Sequence, residues 1–468
     1  MGRGGVYPRP LITRCKRHPK EKSLSQVKEN RTRGEIRPVL AQRYADGWGV
    51  GAKRGRLQPS ASPPFAATRR QVSVEKPMSQ YPERLILNVG PQHPSTHGVL
   101  RVVVELEGEV VVRCTPDIGY LHRGIEKLME ARTYQQCLPL TDRIDYLAGS
   151  ANNLGFVLAV EKLLGVEVPP RARYIRVIIA EMTRIASHLF WLGTHAHDLG
   201  AMTPLFYAFR EREQLMDLFE AVAGGRLFPC YFRIGGLARD LPDGWTTEVR
   251  EFCRTFPDKM KDYETLLTRN PIWIRRTRDV GVLTVDEVLD YGLSGPVARG
   301  SGIAWDVRRA DPYCGYEEFD FVVPVGQNGD TYDRYLVRLE EMRQSCRIIE
   351  QALDRLPEGD IAVDDPTITY PKKTDVYTRI ESLIQHFLLV EEGIRVPEGE
   401  VFHHTEAPKG ELAFFIVSDG TSRPFRVRAR TPSFVNLQVL SKLAEGRLLA
   451  DLIALIGTID IVLADVDR

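Results

Sequence analysis

Residues 169–198 read PPRARYIRVIIAEMTRIASHLFWLGTHAHD, and their periodicity decides the fold. Two prolines open the stretch, where a missing backbone donor costs a helix least. Ile175, Ile178, Ile179, Met182, Ile185, Leu189 and Leu192 then recur at i, i+3, i+4 spacing, the signature of a helix with a buried stripe. Working outward, a helix is predicted from about Asp142 to Leu164, with Thr141 as N-cap and Gly165 at its stop. Another runs from Pro204 to Ala223 and ends at Gly224-Gly225, and further helical patterns cover about 245–268, 332–356, 376–392 and 434–458.

Strands flank this helical block. RLILNV (84–89), VLRVVVEL (99–106) and EVVVRC (109–114) alternate or run apolar, the last two forming a hairpin around Glu107-Gly108. ELAFFIVSDGTSRPFRVRAR (411–430) reads as a second hairpin across a Ser-Asp-Gly turn. The fold class expected is α+β: a β-rich part at 80–120, a helical bundle at 140–400, and a hairpin with a C-terminal helix at 410–468. No internal repeat is present.

Composition narrows the function. Residues 1–77 carry 18 Lys/Arg against 5 Asp/Glu, so the rest holds 45 of the 63 basic and 57 of the 62 acidic side chains. The basic leader is poor in core material. It reads as a transit peptide, a nucleic-acid-binding arm, or an extension upstream of a natural start at Met78 (MSQYPERL), the reading preferred; 78–468 is taken as the folded body. An acidic body argues against nucleic acid as a partner. The most apolar run, LLADLIALIGTIDIVLA (448–464), contains Asp451 and Asp460 and reads as a core helix rather than a membrane span. The seven cysteines are scattered without a CxxC, which argues against a disulfide framework, and no four of them form a zinc or iron–sulfur pattern. There is no Walker A, HExxH or GxSxG motif, and the chain by itself carries no complete cofactor site.

NVGPQHPSTHG (88–98) places two histidines four apart, but Pro91, Pro94, Gly90 and Gly98 make the segment a loop. Read with its neighbours, this loop becomes specific. ILNVGPQHPSTHGVLRVVVELEGE (86–109), DIGYLHRGIEKLME (117–130), YQQCLPLTDRIDYLAG (134–149), SHLFWLGTHAHDLGAMTPLFYAFREREQLMDLFE (187–220), RIGGLARDLP (233–242), GELAFFIVSDGTSRPFRVRARTPSFVNLQ (410–438) and DIVLADVDR (460–468) closely resemble the 49 kDa (D-type) family of respiratory complex I, the NADH-quinone oxidoreductase. That family also resembles the large subunit of [NiFe] hydrogenases, which supplies the alternative function. The segments where a hydrogenase holds nickel and iron, TDRIDYL (141–147) and ALIGTIDIVLADVDR (454–468), contain no cysteine, so the metal chemistry cannot follow.

The resemblance implies a hydrogenase-large-subunit-like α+β fold whose emptied cavity takes a quinone headgroup as substrate. His97 and Tyr146 match the family positions contacting that headgroup, with Tyr146 expected on the first turn of the 142–164 helix. Asp198 matches a residue that orients the histidine and relays charge, and Arg123 matches an arginine near the terminal [4Fe–4S] cluster of a partner. His93 is read as structural. No metal is expected in this chain. FMN and the iron–sulfur clusters are expected in partner subunits, with the cluster-bearing B-type subunit, the C-type subunit and membrane-arm subunits as neighbours. The place implied is peripheral, on the cytoplasmic side of a bacterial membrane, or on the mitochondrial matrix side if the leader is a transit peptide. Phe228 and Pro229 stand where relatives commonly carry a histidine two residues after the arginine of GGR, a departure that removes a titrating group.

Overall fold

The computed structural model describes residues 84–468; the reading of the basic leader lies outside the described residues. Three strands, β1 (Arg84–Val89), β2 (Arg101–Glu107) and β3 (Val110–Asp117), form an antiparallel sheet in sequence order. The turn at Glu107-Gly108 closes the expected hairpin, with Glu107 opposite Val110. The main helices are α1 (Gly149–Leu164), α2 (Pro170–Asp198), α3 (Thr203–Ala223), α4 (Trp245–Tyr263), α5 (Thr331–Asp354), α6 (Ile380–Glu391) and α7 (Leu449–Ile459). A two-stranded ladder, β4 (Phe232–Arg233) with β5 (Gly236–Leu237), lies between α3 and α4. The last sheet orders β6 (Gly399–Ala407), β7 (Gly410–Ser418) and β8 (Arg426–Arg430), all antiparallel. The class is α+β, as the sequence indicates.

The axis of the bundle is α2, which spans about 43 Å at 1.5 Å per residue and packs against α1, α3, α5 and α7. Its apolar stripe is buried as expected. The structure buries its other faces too, including Arg176, Glu181, Arg184 and His188. Gly193 lets α3 approach, since a Cβ there would sit 3.1 Å from the Leu205 Cα. A second core joins the β1–β3 sheet to the C-terminal helices through Val102, Val104, Leu440, Leu455 and Ile459.

Four expectations change. The helix predicted from Asp142 begins only at Gly149, and Thr141 ends a separate helix (Tyr134–Thr141) capped by Thr133 and Gln136. Residues 142–148 form a tight turn whose amides reach back three residues, Arg143 to Leu140, Ile144 to Thr141 and Ala148 to Asp145. Asp145 accepts the Leu147 N–H through Oδ1 at 3.0 Å, a local bond that competes with helix continuation. The 376–392 pattern splits at Arg379, whose backbone is extended, and 434–458 divides into three short helices, Pro432–Leu437, Leu440–Ala444 and α7. The 411–430 hairpin gains a third strand, β6, which sequence patterning did not reveal because HHTE interrupts its alternation.

Several charges inside the bundle are paired. Arg299, wholly buried, donates through Nε to Glu341 at 2.7 Å and through a terminal nitrogen to Glu406 at 2.8 Å. Arg299→Leu removes the guanidinium shared by Glu341, Glu406 and, at 3.7 Å, Asp306, which costs about 3–5 kcal/mol. Thermal unfolding should show a cooperative loss of that size, and an unchanged midpoint would contradict the reading.

Candidate functional site

The histidine loop is a short 3-10 turn, Pro94–Thr96, that rests on α7. His93 caps it, its Nδ1 accepting the Ser95 amide at 3.2 Å, while the Thr96 hydroxyl donates to the His93 carbonyl at 2.8 Å. His93 thus holds the loop's shape. His97 closes the turn with a left-handed backbone (φ 53°), an uncommon conformation for a side chain of this kind. Its ring lies beside the backbone of Ile461, just beyond α7, which favours the protonated form, while Nε2 is buried without a partner.

Tyr146 sits in the 142–148 turn rather than on a helix, half-buried. The physical reason is again Asp145, which fixes the turn through Leu147. Burial pushes the Tyr146 phenol upward and Asp145 adds to this, opposed by Lys409 and Arg123. Asp198 is the last residue of α2, half-buried, and faces His97, His197 and His93 rather than the sequence neighbour His195. Burial raises its carboxyl, against the pull of those histidines. Burial lowers His97, while Asp198 favours its protonated form and Lys409 disfavours it.

Arg123 lies at the surface but is pinned. One terminal nitrogen donates to the Arg143 carbonyl at 2.8 Å and to the Ala464 carbonyl at 3.1 Å. These bonds tie the start of the Ile125–Glu130 helix to both the Tyr146 turn and the C-terminal segment. Phe228 is half-buried beneath Arg143, whose guanidinium lies 4.5 Å from the ring centroid.

The four predicted residues are linked by their electrostatics: Asp198 to His97, Arg123 to Tyr146, and Lys409 to both His97 and Tyr146. Lys409 was not singled out from the sequence. It lies in the two-residue β6–β7 turn, buried, with Nζ 2.9 Å from Asp145 Oδ2 and 3.2 Å from Ser187 Oγ. Asp460 and Asp465 also act on it. Part of the signal for this group was present: Asp460 interrupts an apolar run, and buried carboxylates demand partners. His195 lies three residues before Asp198 in the sequence. It is buried, stacked on Trp191 at 5.1 Å, with both ring nitrogens unpartnered, and burial pushes it down to about 3.

The family model for the respiratory-chain NADH dehydrogenase 49 Kd subunit matches residues 198–468. The chain belongs to that family. Over 386 residues it is 58% identical to the D-type subunit of NADH-quinone oxidoreductase from Geotalea uraniireducens and 60% identical to that from Citrifermentans bemidjiense, covering 82% of this chain and 99% of each relative. The counterpart from Methylacidiphilum infernorum is 53% identical over 386 residues, 82% of this chain and 92% of the relative. As a member of the family the chain is one subunit of an oxidoreductase complex, and the resemblance read from the sequence motifs holds.

The His97–Asp198 pairing gives a direct test. Asp198→Asn removes the charge that favours protonated His97, so the imidazole pKa should fall further. The pH midpoint of deuterium exchange at the His97 ring carbon, read by mass spectrometry, should move to lower pH. A midpoint that stays or rises would show that Asp198 does not act on His97.

Proposed function

We propose that this chain supplies the headgroup-binding end of the quinone site in an NADH–quinone oxidoreductase. His97 and Tyr146 hold the headgroup, and Asp198 orients the imidazole. A quinone that gains two electrons becomes basic at both carbonyl oxygens and takes two protons. A phenol and an imidazole are each able to hydrogen-bond an oxygen and release a proton to it. The observation that carries the reading is the shared cation: Lys409 acts on His97 and Tyr146 alike, although they come from segments nearly fifty residues apart. The unpartnered Nε2 of His97 is free to meet a ligand oxygen. A phenol whose proton is held tightly keeps it until the headgroup has become basic.

In this reading FMN and iron–sulfur clusters in partner subunits carry electrons from NADH, and quinone reduction is coupled to proton translocation. Arg123 lies toward the terminal cluster of the B-type partner, with the C-type subunit and the membrane arm as further neighbours. Residues 84–468 adopt a hydrogenase-large-subunit-like arrangement in this reading, but they do not fit nickel and iron, because 141–147 and 454–468 offer aspartates and no thiolates. A stoichiometric nickel content would favour the hydrogenase alternative. No described helix is long and apolar enough to cross a membrane, which fits a peripheral place beside membrane subunits.

Tyr146→Phe keeps the ring and removes the donor. Quinone reduction by the assembled complex should fall by roughly 10²–10⁴-fold, with NADH oxidation by an artificial upstream acceptor unchanged. Parallel loss of both activities would mark Tyr146 as structural. A further expectation concerns Phe228, which cannot take up a proton beside Arg143. The midpoint potential of the partner's terminal cluster should depend weakly on pH in an EPR-monitored titration, and Phe228→His should restore the dependence. A slope near ~59 mV per pH unit in the unmodified complex would mean another group serves.

A further inference from the structure

A buried ion pair lies behind the two headgroup residues, and neither member is one of them. Asp145 uses one oxygen to accept the Leu147 amide at 3.0 Å and the other to hold Lys409 Nζ at 2.9 Å. The first bond fixes the backbone on both sides of Tyr146, and the second ties that turn to the β6–β7 hairpin. Ser187 Oγ on α2 completes the clasp at 3.2 Å from Nζ. The hairpin turn is itself immobilised. Asn436 donates to the Lys409 carbonyl at 3.3 Å, and a Cβ on Gly295 would lie 2.5 Å from that carbonyl and from the Gly410 Cα. The lysine is 1% exposed and Asp145 3%. Burying such a pair has a desolvation cost that apolar residues of similar volume would avoid, so stability alone does not account for it.

We propose that Lys409 and Asp145 form a positioning pair that holds Tyr146 in place and sets how readily His97 and Tyr146 give up their protons. The proposal rests on the headgroup reading above for its function, though not for its electrostatics. Lys409 faces Asp145, Asp460 and Asp465. His97 faces Asp198 and Lys409, with His195 beside it, and Tyr146 faces Asp145, Lys409 and Arg123. The ammonium lies near both acids and favours their deprotonated forms, whereas the Asp145 carboxylate opposes this at Tyr146 only. Two electrons delivered by the complex and two protons, one from the tyrosine hydroxyl and one from protonated His97, convert quinone to quinol. The ion pair makes no bond to the headgroup; it lowers the reluctance of the two donors. Asp460 and Asp465 remain beside Lys409 when Asp145 is removed.

The test uses the assembled complex with Lys409→Arg, Lys409→Met, Asp145→Asn and the neutral double variant Lys409→Met/Asp145→Asn. The pH midpoint of deuterium exchange at the His97 ring carbon should rise in both variants lacking Lys409. It should match the parent in Lys409→Arg. The pH profile of quinone reduction should shift to higher pH in Lys409→Met and to lower pH in Asp145→Asn. Should the single variants fail to assemble, the double variant, which leaves neither member of the 2.9 Å pair alone, still reports on His97. An unmoved His97 midpoint, or profiles that shift the same way in the two single variants, would overturn the proposal. The headgroup reading fails separately: Tyr146→Phe would then retain quinone reduction while the His97 midpoint still responded to Lys409.

Discussion

Everything in this fold depends on Glu181 having partners. It sits at the middle of α2 with no exposure, and it accepts from both sides: from Tyr316 Oη at 2.6 Å, from Ser345 Oγ at 2.6 Å, and from the guanidinium of Arg308 at 3.1 Å. Arg184, one turn along, adds a fourth contact at 3.2 Å. An isolated carboxylate at this depth would be prohibitively costly. With four partners its pKa is driven to about 2, against the burial that would raise it. Its partners come from separate stretches of chain, so satisfying one charge brings α2, α5 and the 306–318 segment into one register.

The same logic repeats toward the C-terminal end of α2. His188 shares Glu341 with Arg299, Arg299 reaches Glu406 on β6, and Lys409 in the next turn reaches Asp145. Buried charge thus runs from the rigid centre of the bundle to the turn that bears Tyr146. Under the proposed function, residues that exchange protons need to be held within a fraction of an ångström, and packing on a long helix supplies that precision better than a free loop. The histidine loop, which by itself has only a cap and a 3-10 turn, gains its position from α7 and Ile461.

The C-terminal segment closes the arrangement. Asp467 accepts the Gly119 and Leu121 amides at 2.8 and 2.7 Å, Arg123 donates to Ala464, and Asp465 accepts the Ser433 amide at 3.0 Å. Residues far apart in sequence therefore meet where the first sheet joins the bundle. Arg123 also joins two of these segments, donating to the Arg143 and Ala464 carbonyls.

The sequence by itself determined the class of the fold, the hairpins at both ends, the central helix and the family, because hydrophobic periodicity and long motifs are local properties. It also pointed to His97, Tyr146, Asp198 and Arg123, through the resemblance rather than through spacing. What only the tertiary structure decided is where helices stop when side chains compete for the backbone, as Asp145 does at 142–148, and which strand joins a hairpin when its alternation is broken, as at β6. It alone revealed Lys409, whose importance lies in a 2.9 Å contact with a residue 264 positions away. A lysine in a turn is ordinarily solvated, and nothing local to EAPKGE marks this one as buried. Its burial follows from Gly295, Asn436 and Ser187 closing around it, and long-range packing of that kind leaves no period in a sequence.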